Sequence, residues 1–157
     1  MINILLLISS YLFMEFVAWS NHKFVMHGFL WRWHKDHHIN DLKKLPETKI
    51  EKFKFEKNDL FFIIYALPAI MLMILGFSIQ NFHFVSIAIG ITLYGFTYFV
   101  IHDLMYHKRI KISFIQTNHN HYSQAIIDAH TAHHKPKNTK DFDNYGLLIF
   151  SFRYFKK

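Results

Sequence analysis

FVSIAIGITLYGFTYFVIHDLMYH, residues 84–107, sets the architecture of this chain. From Phe84 to about Ile101 it is apolar and uncharged. A helix needs about 20 such residues to cross the roughly 30 Å hydrocarbon core of a bilayer. The run then ends on His102-Asp103, and His107 follows one turn later. Gly90 and Gly95 within it predict close approach of a neighbouring helix. A span of this kind delivers a pair of imidazoles to the membrane surface.

Two other runs read in the same way. Ile2 to about Trp19 is apolar except for Glu15, and Leu60 to Ser78 carries Pro68, which a span tolerates where neighbours satisfy the freed carbonyl. The first run has no basic segment before it and no small-residue cleavage site after Trp19, so it reads as an anchor rather than a cleaved signal. The expectation is one domain, residues 1–157, with spans near 2–19, 60–78 and 84–101. A mean hydropathy of +0.09 would suit a soluble protein, but the average hides alternating uncharged and charged blocks.

Charge orients the spans. Of the eighteen Lys and Arg, nine lie between His22 and Asn58 and nine between His102 and Lys157. An odd number of spans places both basic segments on one side, which the positive-inside rule makes cytoplasmic. The N-terminus and a turn near Gln80–Asn81 then face outward. The formal charge of +7 reads as attraction to anionic headgroups of the bilayer, not to nucleic acid. Asn58–Asp59 reads as the cap that starts the second span. Lys135 to Asn138 reads as a loop, and Tyr145 to Phe155, apolar but too short to span, as an interfacial segment.

Cysteine is absent, which excludes disulfides and Cys-ligated zinc or iron–sulfur clusters, while histidine occurs thirteen times. Ten of these histidines form a pattern that occurs twice. His22-x4-His27 precedes His34-x2-His37-His38, and His102-x4-His107 precedes His130-x2-His133-His134. On a helix each x2-His-His triplet occupies an arc of about 100°, so all three rings can face one metal. A helix continuing through Gly28 would bring His27 within about 20° of His34. The x4 pairs lie about 140° apart on a regular helix; a π-bulge would bring both rings to one site, or each ring serves a different metal. All ten are expected just beyond the spans, in one layer. Neutral imidazole suits Zn, Cu, Fe and Ni, and ten exceed what a single catalytic zinc takes. The number suits two octahedral ions. His83, in the outward turn, is outside this set, and His119 and His121 lack the motif.

Three acids are candidates to support the ligands by accepting an imidazole N–H. Asp103 is adjacent to His102, and Asp128 precedes His130 by two. Glu15, inside a span where an acid is functional by default, lies about two turns before His22 and is expected to support the site from below.

Met14-Glu15-Phe16-Val17-Ala18, His22 to Gly28, Trp33-His34-Lys35-Asp36-His37-His38, Asn58-Asp59-Leu60, Tyr94-Gly95, Tyr98 to Asp103 and Ala129 to His134 together resemble the bacterial β-carotene 3-hydroxylases. These belong to the membrane fatty acid hydroxylase and sterol desaturase superfamily. The resemblance runs from about Met14 to Leu148. It implies an all-α integral membrane bundle of about three transmembrane helices under a cytoplasmic, histidine-rich di-metal cap. It also implies two non-haem iron ions held by His22, His27, His34, His37, His38, His102, His107, His130, His133 and His134. With O₂ as co-substrate, the implied reaction converts β-carotene to zeaxanthin by way of β-cryptoxanthin in the bacterial inner membrane. The departure is late: where relatives carry a basic stretch before the last histidine cluster, this chain reads Gln116 to Gln124.

Hydroxylation with O₂ consumes two external electrons. The chain has neither cysteine nor a GxGxxG nucleotide fingerprint, so a ferredoxin and its reductase are expected as donors. Other classes fit less well. A metal transporter would carry its ligands at mid-span, and a bis-His haem carrier needs histidines within facing spans. A hydroxylase or desaturase acting on a fatty acyl or sterol substrate remains the alternative.

Overall fold

The computed structural model describes residues 1–42 and 55–155, and all regular structure among them is helical. Three helices are long and apolar enough to cross a membrane: Ile2–Phe29, Lys57–Ser78 and Phe82–Tyr106. They comprise α1 (Ile2–Ser20), α3 (Phe62–Ser78) and α4 (Phe82–Tyr98), each joined at one end to a segment of different pitch. The chain is an all-helical membrane bundle.

α4 packs between α1 and α3. Met14, Ala18, Tyr65, Ala69, Ile91 and Tyr94 form the buried core of that packing. Gly90 sets the spacing: a Cβ there would meet Ser10 Oγ at 2.0 Å and the Leu7 carbonyl at 2.4 Å, so only glycine lets the two backbones touch. Gly95 does not share this role, since a Cβ there meets nothing within 4 Å. Many of the remaining side chains on these helices are exposed apolar groups, among them Leu12, Phe16, Leu67, Ile70, Ile74 and Phe96, as expected of a surface that faces lipid.

The turn between α3 and α4 is where the sequence puts it. Gln80 adopts a positive φ of 53°, and the Asn81 side chain accepts from His83 N–H at 3.0 Å to start α4. The start of the second span differs from expectation. A short 3-10 segment, Lys57–Phe61, leads into α3 and starts with a capping box: Asp59 Oδ2 accepts from Glu56 N–H at 2.9 Å, and the Glu56 side chain accepts from Asp59 N–H. Asn58 does not cap; its side chain is taken by a histidine.

The spans also run further than their hydropathy indicates. α1 passes without a break into a π-helical segment, Asn21–Phe29, and α4 into another, Phe99–Tyr106. His22, His27 and His102 therefore stand on continuations of the first and third spans, not beyond them. His22 follows Ile2 by about 30 Å of helix at 1.5 Å per residue, which still places it at the membrane surface. Gly28 (φ −98°, ψ −121°) breaks the first continuation, so the helix does not carry on to His34.

The cap over this end consists of α2 (Trp31–Leu42), α5 (Ser113–Thr117), α6 (His121–His134) and α7 (Thr139–Phe142). The Lys135–Asn138 loop links the last two, with Asn138 accepting from Asp141 N–H at 3.1 Å to cap α7. The last part of the chain is neither a span nor a regular helix until Phe152–Phe155. Residues 145–149 form a strap laid back against α1 and α4.

Candidate metal centre

All ten motif histidines converge, and they sort into two adjoining groups. The ring nitrogens of His22, His27, His34, His38 and His133 lie within 4.8 Å of one another, and those of His37, His107, His130 and His134 do likewise. His102 joins the second group by its ring, 4.5 Å from His107, 5.0 Å from His130 and 5.1 Å from His37 between centroids. The groups touch where the rings of His38 and His134 stack at 4.1 Å.

The π-helical segments bring the x4 pairs together. In each, backbone hydrogen bonds reach back five residues, as from Leu30 N–H to the Val25 carbonyl (3.0 Å) and from His107 N–H to the His102 carbonyl (2.9 Å). The wider turn places i and i+5 on one face. The paired rings are accordingly 4.9 Å apart for His22–His27 and 4.5 Å for His102–His107.

The triplets are not used as their spacing suggests. His34 and His38 serve the first group while His37 turns to the second; on α6, His130 and His134 serve the second while His133 crosses to the first. An arc of about 100° is wide enough to straddle a boundary between two sites, and each of these helices lies over it. His27 and His34 do meet, at 4.8 Å, across the break at Gly28.

Whether these groups fit metal ions is decided by the far nitrogen of each ring. His22 Nδ1 donates to the Tyr145 carbonyl at 2.9 Å, His133 Nδ1 to the Phe142 carbonyl at 2.7 Å, and His34 Nδ1 to Asn58 Oδ1 at 2.6 Å. A ring that donates from Nδ1 keeps its lone pair on Nε2. Yet His22 Nε2 and His34 Nε2 face each other at 3.2 Å, and His34 Nε2 and His38 Nε2 at 3.1 Å. Converging lone pairs repel without a cation among them. In the second group His37 Nε2 and His130 Nε2 are buried with no hydrogen-bond partner among the described residues, a costly state that a metal ion relieves. Both groups fit.

Electrostatics agree. Burial, with neighbouring imidazoles, pushes His34, His107, His130 and His134 well down from the ordinary value, and His38 to about 2. Burial also lowers His37, against an opposing pull from Glu56, and takes His133 to about 4. These rings are neutral at physiological pH, the form that binds metal.

Of the three acids expected to support the ligands, Asp103 is beside His102, with Oδ2 3.3 Å from its Nδ1. Asp128 accepts from Gln124 of its own helix at 3.1 Å. Glu15 touches no histidine; it takes N–H groups of the strap. The sequence reading missed four partners. Glu56 Oε2 lies 3.1 Å from His37 Nδ1, Asn58 holds His34, and the carbonyls of Tyr145 and Phe142 hold His22 and His133. It also missed Arg109, which forks between Asp59 and Asp103. Lys108 (φ 51°) makes the turn that folds Arg109 back, with Arg109 N–H on the Asp103 carbonyl at 2.9 Å. The histidines outside the motifs stay outside the centre. His83 Nδ1 meets Asn3 Oδ1 at 2.6 Å on the far side of the bundle, His119 Nε2 meets the Gln116 carbonyl, and His121 packs on Phe155.

The model of the fatty acid hydroxylase family matches residues 7–155. The chain belongs to that family. The chain is 33% identical over 149 residues to a β-carotene hydroxylase of Paracoccus sp., covering 94% of this chain and 84% of that one. It is 32% identical over 157 residues to that of Pseudescherichia vulneris, covering 100% and 79%. Against the chloroplastic β-carotene hydroxylase 1 of Capsicum annuum it is 34% identical over 142 residues, 87% of this chain but 40% of the longer protein. No solved structure matches it.

Proposed function

We propose that this chain is a carotenoid β-ring 3-hydroxylase, an O₂-dependent di-iron monooxygenase of one domain that converts β-carotene to zeaxanthin through β-cryptoxanthin. The observation that carries the reading is the pair of adjoining, buried imidazole groups, in a chain about one-third identical to proteins named β-carotene hydroxylase. The ten motif histidines are the ligands: His22, His27, His34, His38 and His133 at one iron, His37, His102, His107, His130 and His134 at the other. An iron pair supplies the redox chemistry with O₂ that no side chain provides. The residues of the chain hold those ligands neutral, fix the tautomers of His22, His34 and His133 through Nδ1, and keep water out by burial.

The reaction takes one C–H bond, O₂, two electrons and two protons, and gives C–OH and water. The chain holds no cysteine and so no Cys-ligated carrier of its own. A ferredoxin with its reductase supplies the electrons, and the bilayer supplies the substrate. Expressed in a β-carotene-producing bacterium with such donors, the chain is expected to yield β-cryptoxanthin and then zeaxanthin. Growth under ¹⁸O₂ is expected to put label in the ring hydroxyls. Unchanged carotene in a host where a verified hydroxylase works would shift the substrate to a fatty acyl chain, which the family's description raises, or to a sterol.

The histidine cap faces the cytoplasm from the bacterial inner membrane, on the distribution of Lys and Arg described above. Cysteines placed at the exposed Lys35 and Lys137 are expected to resist an impermeant thiol reagent in intact cells, while one at Gln80 reacts. The reverse pattern would invert the topology.

A further inference from the structure

We infer that Glu15 is a positioning residue for the histidine centre: from within the first span it clamps the strap, and through the strap it holds the Tyr145 carbonyl on His22. The inference rests on the metal reading above.

A carboxyl group inside a span is costly and persists where it has work and partners. Here every partner is visible. Oε1 accepts the N–H groups of Leu147, Leu148 and Ile149 at 2.9, 2.9 and 3.0 Å, and Oε2 accepts the Tyr94 hydroxyl at 2.7 Å. Tyr94 has no exposed surface. Three successive N–H groups outside any helix would otherwise be orphans at the edge of the bilayer. Curling them about one oxygen brings the chain very close to itself at Gly146. A Cβ there would meet the Ile149 carbonyl at 2.2 Å and Glu15 Oε1 at 3.0 Å.

The other end of the same strap carries the Tyr145 carbonyl, which accepts from His22 Nδ1 at 2.9 Å. Glu15 and His22 lie on one continuous helix about two turns apart, so the first span grips the strap at two points. The lower grip is the stronger, with three bonds to one oxygen. The upper grip sets which nitrogen of His22 keeps the proton, and so presents Nε2 towards His34. Glu15 thus acts on the centre without touching it. Gly146 and Leu147 also wall a narrow cavity against His102 and His130, so a displaced strap opens the second group as well.

The test compares Glu15→Gln, Glu15→Ala and Gly146→Ala with wild type in nanodiscs, by amide hydrogen exchange and by cobalt(II) titration followed in the visible spectrum. Gln keeps an acceptor oxygen for the strap; Ala at 15 removes it; Ala at 146 displaces the strap and leaves the carboxyl in place. In Glu15→Ala and Gly146→Ala the amides of residues 147–149 are expected to exchange at least about tenfold faster. Cobalt affinity should weaken about tenfold or more, as when a ligand's hydrogen-bond partner is lost. Glu15→Gln should stay near wild type in both readouts, which a requirement for the carboxyl charge would not allow. Unchanged exchange in Glu15→Ala and Gly146→Ala overturns the clamp. Faster exchange with unaltered cobalt binding and spectrum overturns the link to His22. If Glu15→Ala does not fold, Gly146→Ala and the Gln variant decide the same points. A wild-type protein that takes up no cobalt and no iron overturns the metal reading itself, whatever the amides do.

Discussion

His133→Ala is expected to remove turnover, lowering product formation by more than the roughly 10–100-fold that follows loss of a ligand's hydrogen-bond partner. His133 is fully buried, it crosses from α6 to the first group, and its Nδ1 is fixed on the Phe142 carbonyl at 2.7 Å. The substitution therefore removes an imidazole from one group, takes the His133 donor from the Phe142 carbonyl, and cuts the tie between α6 and the first group. His37→Ala should do the mirror-image damage, taking a ring from the second group and removing the histidine contact of Glu56. Iron analysis separates the two proteins from a general loss of fold: each should retain part of its metal. His83→Ala and His121→Ala, far from both groups, should remain near wild type in activity and iron content. Full turnover in His133→Ala, or equal losses in His83→Ala, would remove the ligand assignment.

Arg109→Leu is expected to cost about 3 kcal/mol of stability, the usual penalty for leaving a buried partner charge uncompensated. Arg109 bonds both carboxylate oxygens of Asp59 and one of Asp103 at 3.0 Å, and all three side chains are about 15% exposed. Those bonds hold the guanidinium pKa above its ordinary value. The two acids lead onward to the site. Asp103 faces His102, while Asp59 caps the segment that carries Glu56 and so sets Glu56 against His37. One guanidinium thus braces the outer nitrogens of two histidines whose rings lie 5.1 Å apart. Melting should fall by on the order of 10 °C, taking about 3 °C per kcal/mol for a chain of this length. Arg109→Lys, a point charge that cannot fork, should fall between. An unchanged melting temperature and iron content in Arg109→Leu would show the network to be dispensable.

What the sequence made legible follows from what periodicity carries. Span existence was readable because apolar length is set by bilayer thickness, whatever the neighbours do. Span ends were not, because hydropathy falls at His22 and His102 while the backbone continues as π-helix. The x4 spacing alone left open whether a bulge or two sites explained it. The twofold histidine pattern located the ten residues but not their division, since an arc on one helix does not say where the boundary between sites falls. Asn58 looked like a cap because asparagine caps helices, and a tertiary contact with His34 takes its side chain instead. The histidine contact of Glu56 and the Asp59 contact of Arg109 gave no local signal, since they span 19 and 50 residues of the chain. Gly95 shows the converse, a small residue in a span that no neighbour approaches.

The crossing of His37 and His133 also fixes when the centre comes into being. During synthesis at about 5–20 residues per second, His22 emerges roughly 6–20 s before His133. The first half of the chain offers four members of one group and a single member of the other. Neither set closes until α6 has been made and folded back. A nascent chain halted before that helix holds two partial groups, and both histidine groups are completed together once α6 has been made.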